Sequence, residues 1–250
     1  MVKLFVIPGH GAGDSGACGN GYQEAERVRA LATAIKKWGG DNVMLADFSR
    51  NYYADAGINR LSLPKGYVIV ELHMDAGPAS ARGGHVIIQA GVGGADKYDK
   101  ALAALMVSMF PGRASAIVER NDLANPARAA ARGFNYRLVE NGFITNSGDV
   151  KTFNSRIDDL AKGYLRAFDI PVQEEIDVDA IKKMFEELKK TINDTKDYSG
   201  RGKDGSTIFQ RIPWMAAKQE QMMKSIDELN EKVDAIDVKL EDIIEILGRK

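Results

Sequence analysis

Four side chains stand out for the chemistry they could do: His10, Glu24, His73 and Glu140. His10 lies in "IPGHGAGDSGACGNGYQEAE", just past an apolar run that ends at Ile7. Glycine lets a backbone take positive φ and lets a ligand come close. Such a loop could fold His10 towards Glu24, which opens the helical pattern that follows. In "VIVELHMDAG", a period of two puts Glu71, His73 and Asp75 on one face and Val70, Leu72 and Met74 on the other. Two histidines and a carboxylate make a set that holds a catalytic zinc ion and leaves a position for water. In "YRLVENGFITNSGD", Glu140 closes a third apolar run. A carboxylate there could take a proton from water and deliver it to a leaving nitrogen.

Each residue also has a plainer use. A lone histidine is more often hydrogen-bonded at a surface or in a core than bound to metal. A glutamate in a first helical turn is ordinarily there for the helix dipole, and a glycine-rich loop before a helix can bind phosphate. Glu140 could simply accept hydrogen bonds from loop amides. The sequence has no Walker GK[ST] and no HExxH. The third of three histidines, His85, follows Gly83-Gly84 at the start of a strand and is a candidate hydrogen-bonder for substrate. Cys18 is the sole cysteine, which excludes an intrachain disulfide; it reads as a small buried residue rather than a nucleophile. Arg82, Asn141, Thr145 and Asn146 could line a cleft, although solvation and turn formation are their commoner uses.

The elements that must position these residues alternate. Strand-like runs fall at Leu4–Ile7, Val43–Phe48, Tyr67–His73, His85–Gln89 and Tyr136–Val139. Helical patterns lie between or after them, over roughly Tyr22–Trp38, Asp96–Phe110 and Val150–Phe168. This alternation predicts an α/β domain with a largely parallel or mixed sheet. In such sheets chemistry gathers at the carboxyl ends of the strands, where His10, His73 and Glu140 all fall. The texture changes after Ile170-Pro171. Met222, Ile226, Leu229, Val233, Ile236, Leu240, Ile243 and Leu247 then recur in steps of four and three, an a/d seam with charges between. Residues 1–171 therefore read as a catalytic domain and residues 172–250 as a helical, coiled-coil-like module. Its seam must be covered, by an intrachain helix or by self-association into a homo-oligomer.

Bulk properties narrow the classes. A net charge of −1 argues against a general nucleic-acid binder or a polybasic membrane adsorber. No stretch has the length and apolarity of a membrane span, and the start lacks the pattern of a signal peptide. The expectation is a protein made and held in the cytoplasm, without membrane insertion.

Taken together, "PGHGAGDSGACGNGYQEA", "ELHMDA" and "VENGFITN" resemble the three signature segments of the zinc-dependent N-acetylmuramoyl-L-alanine amidases, the type-3 amidase family of bacterial autolysins and phage endolysins. The resemblance runs in order from Met1 to about Ile170. It implies a twisted, mostly parallel sheet wrapped by helices. It also implies zinc on His10, Glu24 and His73, and Glu140 as the catalytic carboxylate. Glu26 is the alternative ligand if the loop carries an indel. The second segment usually resembles S-I-H-x-N, whereas Glu71 and Asp75 flank His73 here. The implied substrate is bacterial peptidoglycan, cut at the amide between N-acetylmuramic acid and L-alanine. With no signal peptide, a phage lysin released to the wall on membrane permeabilisation is favoured over an exported autolysin. The tail would then bind wall or join subunits. Two other functions compete: a non-catalytic amidase-like scaffold organised by its coiled coil, and a zinc hydrolase of another peptide-like amide.

Overall fold

The computed structural model describes residues 2–173 and residue 224. The chain divides into two units, Met1–Glu175 and Ile176–Lys250. The helical module expected over 172–250 lies, beyond residue 173, outside the described residues except for Lys224.

The strands of the main sheet are β1 (Lys3–Pro8), β4 (Val43–Leu45), β5 (Tyr67–Asp75), β6 (His85–Gln89), β7 (Ile117–Arg120) and β8 (Tyr136–Phe143). A two-stranded hairpin of β2 (Cys18–Gly19) and β3 (Tyr22–Gln23) interrupts the glycine-rich loop. The helices are α1 (Glu24–Gly39), α2 (Lys97–Met109), α3 (Ala124–Ala131), α4 (Ser147–Ser155) and α5 (Ile157–Ala167). The sheet order is β4-β1-β5-β8-β6-β7, with every neighbouring pair parallel except β6 and β8. This is the mostly parallel α/β architecture that the alternation predicts.

Period-two alternation explains the two cores. Leu4, Val6, Val68, Val70, Leu72 and Val139 face a cluster that includes residues of α1, α2 and α5. Phe5, Ile7, Ile69, Ile87 and Leu138 face a second, smaller cluster that includes Ala129 of α3. Glu71 and His73 stand on this second face, because they share the parity of Ile69. On the opposite face, Arg137 is buried and pairs with Asp99 at 2.9 Å and Asp96 at 3.1 Å. Asp96 also caps α2 in a reciprocal capping box with Asp99, so the helix start and the sheet are locked by one cluster.

Four details depart from the sequence pattern. The helix expected over Val150–Phe168 is two, broken at Arg156, where φ is −129° and ψ is 28°. The strand expected over Val43–Phe48 stops at Leu45. Strand β8 does not end at Glu140 but runs on to Phe143 through a bulge: His73 pairs with Glu140, yet Asp75 pairs with Phe143. Asn141 fills that bulge. Its Nδ2 donates to the carbonyls of His73 and Val139 at 3.0 and 3.1 Å, and its Oδ1 accepts from Tyr164 at 2.7 Å. Cys18, expected to be buried, is exposed on the hairpin.

Candidate metal centre

The glycine-rich loop and strand β5 bring His10, Glu24 and His73 together. One ligand atom from each lies within 4.8 Å of the others. Glu24 is the first residue of α1, and only 3% of it is exposed. Its Oε1 lies 3.0 Å from Nδ1 of His73 and accepts from the Met74 amide at 3.0 Å. Its Oε2 lies 3.0 Å from Nε2 of His10 and accepts from the Ala17 amide at 3.0 Å. The two imidazoles meet edge to face with centroids 5.0 Å apart. Glu26 is exposed on α1, so the carboxylate between the histidines is that of Glu24.

Two glycines make this approach possible. A Cβ on Gly9 would run into the His73 ring. Gly16 sits at φ +64°, and a Cβ there would come within 2.7 Å of the His10 ring and 2.8 Å of Glu24 Oε2. His10 itself holds a left-handed backbone at φ 60°, a conformation that non-glycine residues adopt at a cost and that gathers at functional sites. Arg29 of α1 donates to its carbonyl at 2.9 Å and fixes that turn.

Each histidine has a second carboxylate on its other ring nitrogen. Asp14 Oδ2 lies 3.0 Å from Nδ1 of His10, and Glu71 Oε1 lies 3.1 Å from Nε2 of His73. Asp14 also accepts from the Gly16 amide at 2.9 Å and from Asn51 at 3.1 Å. Asp75, on the same face in the sequence pattern, is not part of this cluster and pairs instead with Arg113.

The electrostatics follow from these contacts. Burial opposes the charge on Glu24, but hydrogen bonds from His10 and His73 outweigh it and hold the carboxyl well below the usual range. Burial likewise disfavours a charged His73, yet Glu24 and Glu71 raise its pKa well above that of free histidine. The hydrogen bond to Glu24 raises His10.

Glu140 pairs across the sheet with His73 on one side and His85 on the other. Directly paired residues point to the same face, so the carboxylate stands beside the metal-capable trio. Its Oε2 is buried without a hydrogen-bond partner. Burial first, and then the negative charge of Glu24, push its pKa up to about 7, against the pull of His73 and Arg113. His85 is 5% exposed; burial and the charge of Arg120 push it down to about 4, so its ring is neutral at pH 7. A cavity of about 260 Å³ opens beside the trio, lined among others by Asn51, Tyr52, Tyr53, Leu123 and Asn125. The cleft candidates Thr145 and Asn146 serve local structure: Thr145 accepts from the Gly77 amide and Asn146 caps α4. Arg82 donates to the Pro111 carbonyl.

Sequence patterning passes over Asp14, Asn51, Asn125 and Tyr136. For Asp14 a signal was present, since a residue four positions from His10 in a tight loop can fold back onto it. Asn125 and Tyr136 reach Glu71 only through tertiary packing.

The fold is a mixed α/β sheet with a His–Glu–His cluster, able to hold a metal ion, where the loop after β1, the start of α1 and strand β5 meet. The N-acetylmuramoyl-L-alanine amidase family model matches residues 4–169, and the chain belongs to that family. The chain is 34% identical over 180 residues to the probable autolysin PH of Staphylococcus aureus, covering 64% of this chain and 37% of that protein. It therefore spans well under half the length of that relative. It is 28% identical over 185 residues to the N-acetylmuramoyl-L-alanine amidase CwlM of Bacillus licheniformis, covering 68% of this chain and 70% of that one. Among solved structures, the CwlD amidase of Clostridioides difficile, determined in complex with the GerS lipoprotein, superposes with a TM-score of 0.57 at 14% identity. That likeness covers 67% of this chain and 96% of the other, and it concerns the fold.

Proposed function

We propose that the chain is a zinc-dependent amidase that hydrolyses the bond between N-acetylmuramic acid and L-alanine in bacterial peptidoglycan. The observation that carries this is Glu24, buried and bridging His10 and His73, with a further carboxylate, Glu140, paired beside them. The donor set fits the ion: two imidazole nitrogens and one carboxylate within mutual reach, the composition of catalytic zinc sites. His10, Glu24 and His73 would hold it. When bound, zinc supplies Lewis acidity towards the amide carbonyl and brings the pKa of water to about 7.

The chain's own residues do the rest. Glu140 accepts a proton from the attacking water as the new C–O bond forms. It then returns that proton to the departing alanine nitrogen as the C–N bond breaks. A carboxyl group near pKa 7 can serve in both directions at neutral pH. The cavity lined by Tyr52, Leu123 and Asn125 opens beside His10 and His73 and offers room for the substrate.

The decisive test digests purified walls and identifies the products. New L-alanine amino termini without new reducing sugars support the reading; cleavage of a different amide moves the chain to another peptide-like substrate. Glu140→Gln should retain zinc and lose wall lysis, and full lysis by that variant would remove Glu140 from the mechanism. An intact site argues against a scaffold that has kept only the fold. A lytic role of the endolysin kind, in a protein held in the cytoplasm until it reaches the wall, belongs to the same proposal. Turbidity loss in whole-cell suspensions checks it. The a/d seam over Met222–Leu247 supports self-association, and light scattering of the full chain against residues 1–171 tests that.

A further inference from the structure

We infer that Glu71 is a positioning residue for the metal centre: held by Asn125 and Tyr136, it fixes the proton of His73 on Nε2 and leaves Nδ1 as the ligand atom. The inference rests on the metal reading above. It concerns a residue that departs from the segment this family usually shows, where a serine is expected two positions before the histidine.

The hydrogen bonds decide the direction. Glu71 is 4% exposed, and a buried carboxylate is tolerated only when its lone pairs are met by donors. Tyr136 donates its phenol proton at 2.6 Å. Asn125 donates from Nδ2 to both oxygens, at 2.9 and 3.1 Å. The orientation of that amide is not free, because Arg128 donates to Asn125 Oδ1 at 2.9 Å and a guanidinium has no acceptor. Glu71 therefore sits in a ring of donors and can only accept. The remaining contact, 3.1 Å to His73 Nε2, requires a proton on that nitrogen. Nδ1, 3.0 Å from Glu24 Oε1, is then the nitrogen left to exchange its proton for a metal ion, and it would be the ligand atom.

The chain Arg128–Asn125–Glu71–His73 thus ties α3 to the metal-capable trio. Carboxylates on the far nitrogen of a ligating histidine set its tautomer and orientation and raise its basicity. Removing such a partner weakens metal binding about 10- to 100-fold. Tyr136, one strand away on β8, holds Glu71 from the side and acts on the ion only through it.

The test uses the full chain and zinc alone. Zinc dissociation constants come from competition with a chelating dye at one fixed pH, and unfolding of the metal-free protein is followed in parallel. Glu71→Gln keeps the volume and removes the charge; it should weaken zinc about 10- to 100-fold. Tyr136→Phe removes one hydroxyl and should weaken zinc in the same direction by less. In zinc-loaded wild type labelled with ¹⁵N-histidine, His73 should show a protonated Nε2. If Glu71→Gln does not fold, Tyr136→Phe and the histidine resonances decide. A folded Glu71→Gln with wild-type zinc affinity, or a His73 bearing its proton on Nδ1, overturns the inference. A purely structural role for Glu71 would lower metal-free stability and leave the zinc constant unmoved. Wild type that binds no zinc would instead sink the proposed function itself, so the two failures are distinguishable.

Discussion

The two halves of the candidate metal centre use one device in unequal surroundings. In the loop half, His10 sits on left-handed backbone, and its outer carboxylate, Asp14, is 44% exposed. In the strand half, His73 stands within β5, and its outer carboxylate, Glu71, is buried. Sheet register positions His73, so its geometry shares in the stability of the whole domain. Local turns position His10, so its geometry depends on a few glycines and on Arg29. Water screens the Asp14 contact and hardly touches that of Glu71. The strand half should therefore be coupled to folding, and the loop half chiefly to ligation.

Replacing the histidines tests that contrast most severely. His10→Ala and His73→Ala should both lose bound zinc in equilibrium dialysis. In the metal-free protein, however, His73→Ala leaves Glu71 buried without its cationic neighbour, which costs about 3 kcal/mol; His10→Ala should cost about 1 kcal/mol. Equal losses in urea unfolding would erase the distinction between the halves.

The glycines sharpen it further. Gly9→Ala pushes a methyl into the His73 ring against the rigid sheet, and the overpacking should cost about 2 kcal/mol. Gly16→Ala strains a loop that can shift, and about 1 kcal/mol is expected. Zinc affinity should fall in both variants, so the thermal midpoint of the metal-free chain is the measurement that separates them.

Glu140 belongs to the sheet side and should also report on burial. Its folded pKa is raised from an ordinary 4.5 to about 7. The folded state therefore prefers the proton, and stability declines as pH rises from 4.5 to about 7, then stays low. Glu140→Gln removes that penalty. The metal-free variant should be more stable than wild type by about 2 kcal/mol at pH 8, allowing for partial solvent screening. The gain should vanish below pH 4.5. A variant gain that persists at pH 4 would show that titration of Glu140 is not its source.

The smallest effect belongs to Asp14. Asp14→Asn keeps a hydrogen-bond acceptor in an exposed position, so zinc should weaken only a few-fold, with the difference shrinking as salt rises. A loss as large as that of Glu71→Gln would show that exposure does not set the weight of the outer carboxylates.

Much of the fold is legible because alternation survives in the sequence. Strand β6 spans His85–Gln89 as its pattern predicts, and α2 begins behind Asp96 because the capping box is written in residues three apart. The helix expected from Tyr22 starts at Glu24 instead, because Asn20-Gly21 turns the chain into the β2–β3 hairpin, a signal that sequence patterning passes over. Strand β7 and helix α3 were not legible: β7 is a half-exposed edge run, and α3 combines a proline with short alanines. The break at Arg156 falls inside a continuous helical pattern, where only packing distinguishes one helix from two.

The sequence by itself determined which residue types could meet a metal ion, because His10, Glu24 and His73 fall at or near strand ends or at a helix start, where α/β sheets gather their chemistry. It also determined the parity that puts Glu71 beside His73, since successive strand residues must face opposite ways. Only the tertiary structure placed the Glu24 carboxylate between His10 and His73 and left Glu26 exposed, sent Asp75 to Arg113, extended β8 through its bulge, and enclosed Glu71 between Asn125 and Tyr136. Those outcomes depend on which distant segments share a boundary, and proximity across the fold is set by the packing of whole elements rather than by any local pattern.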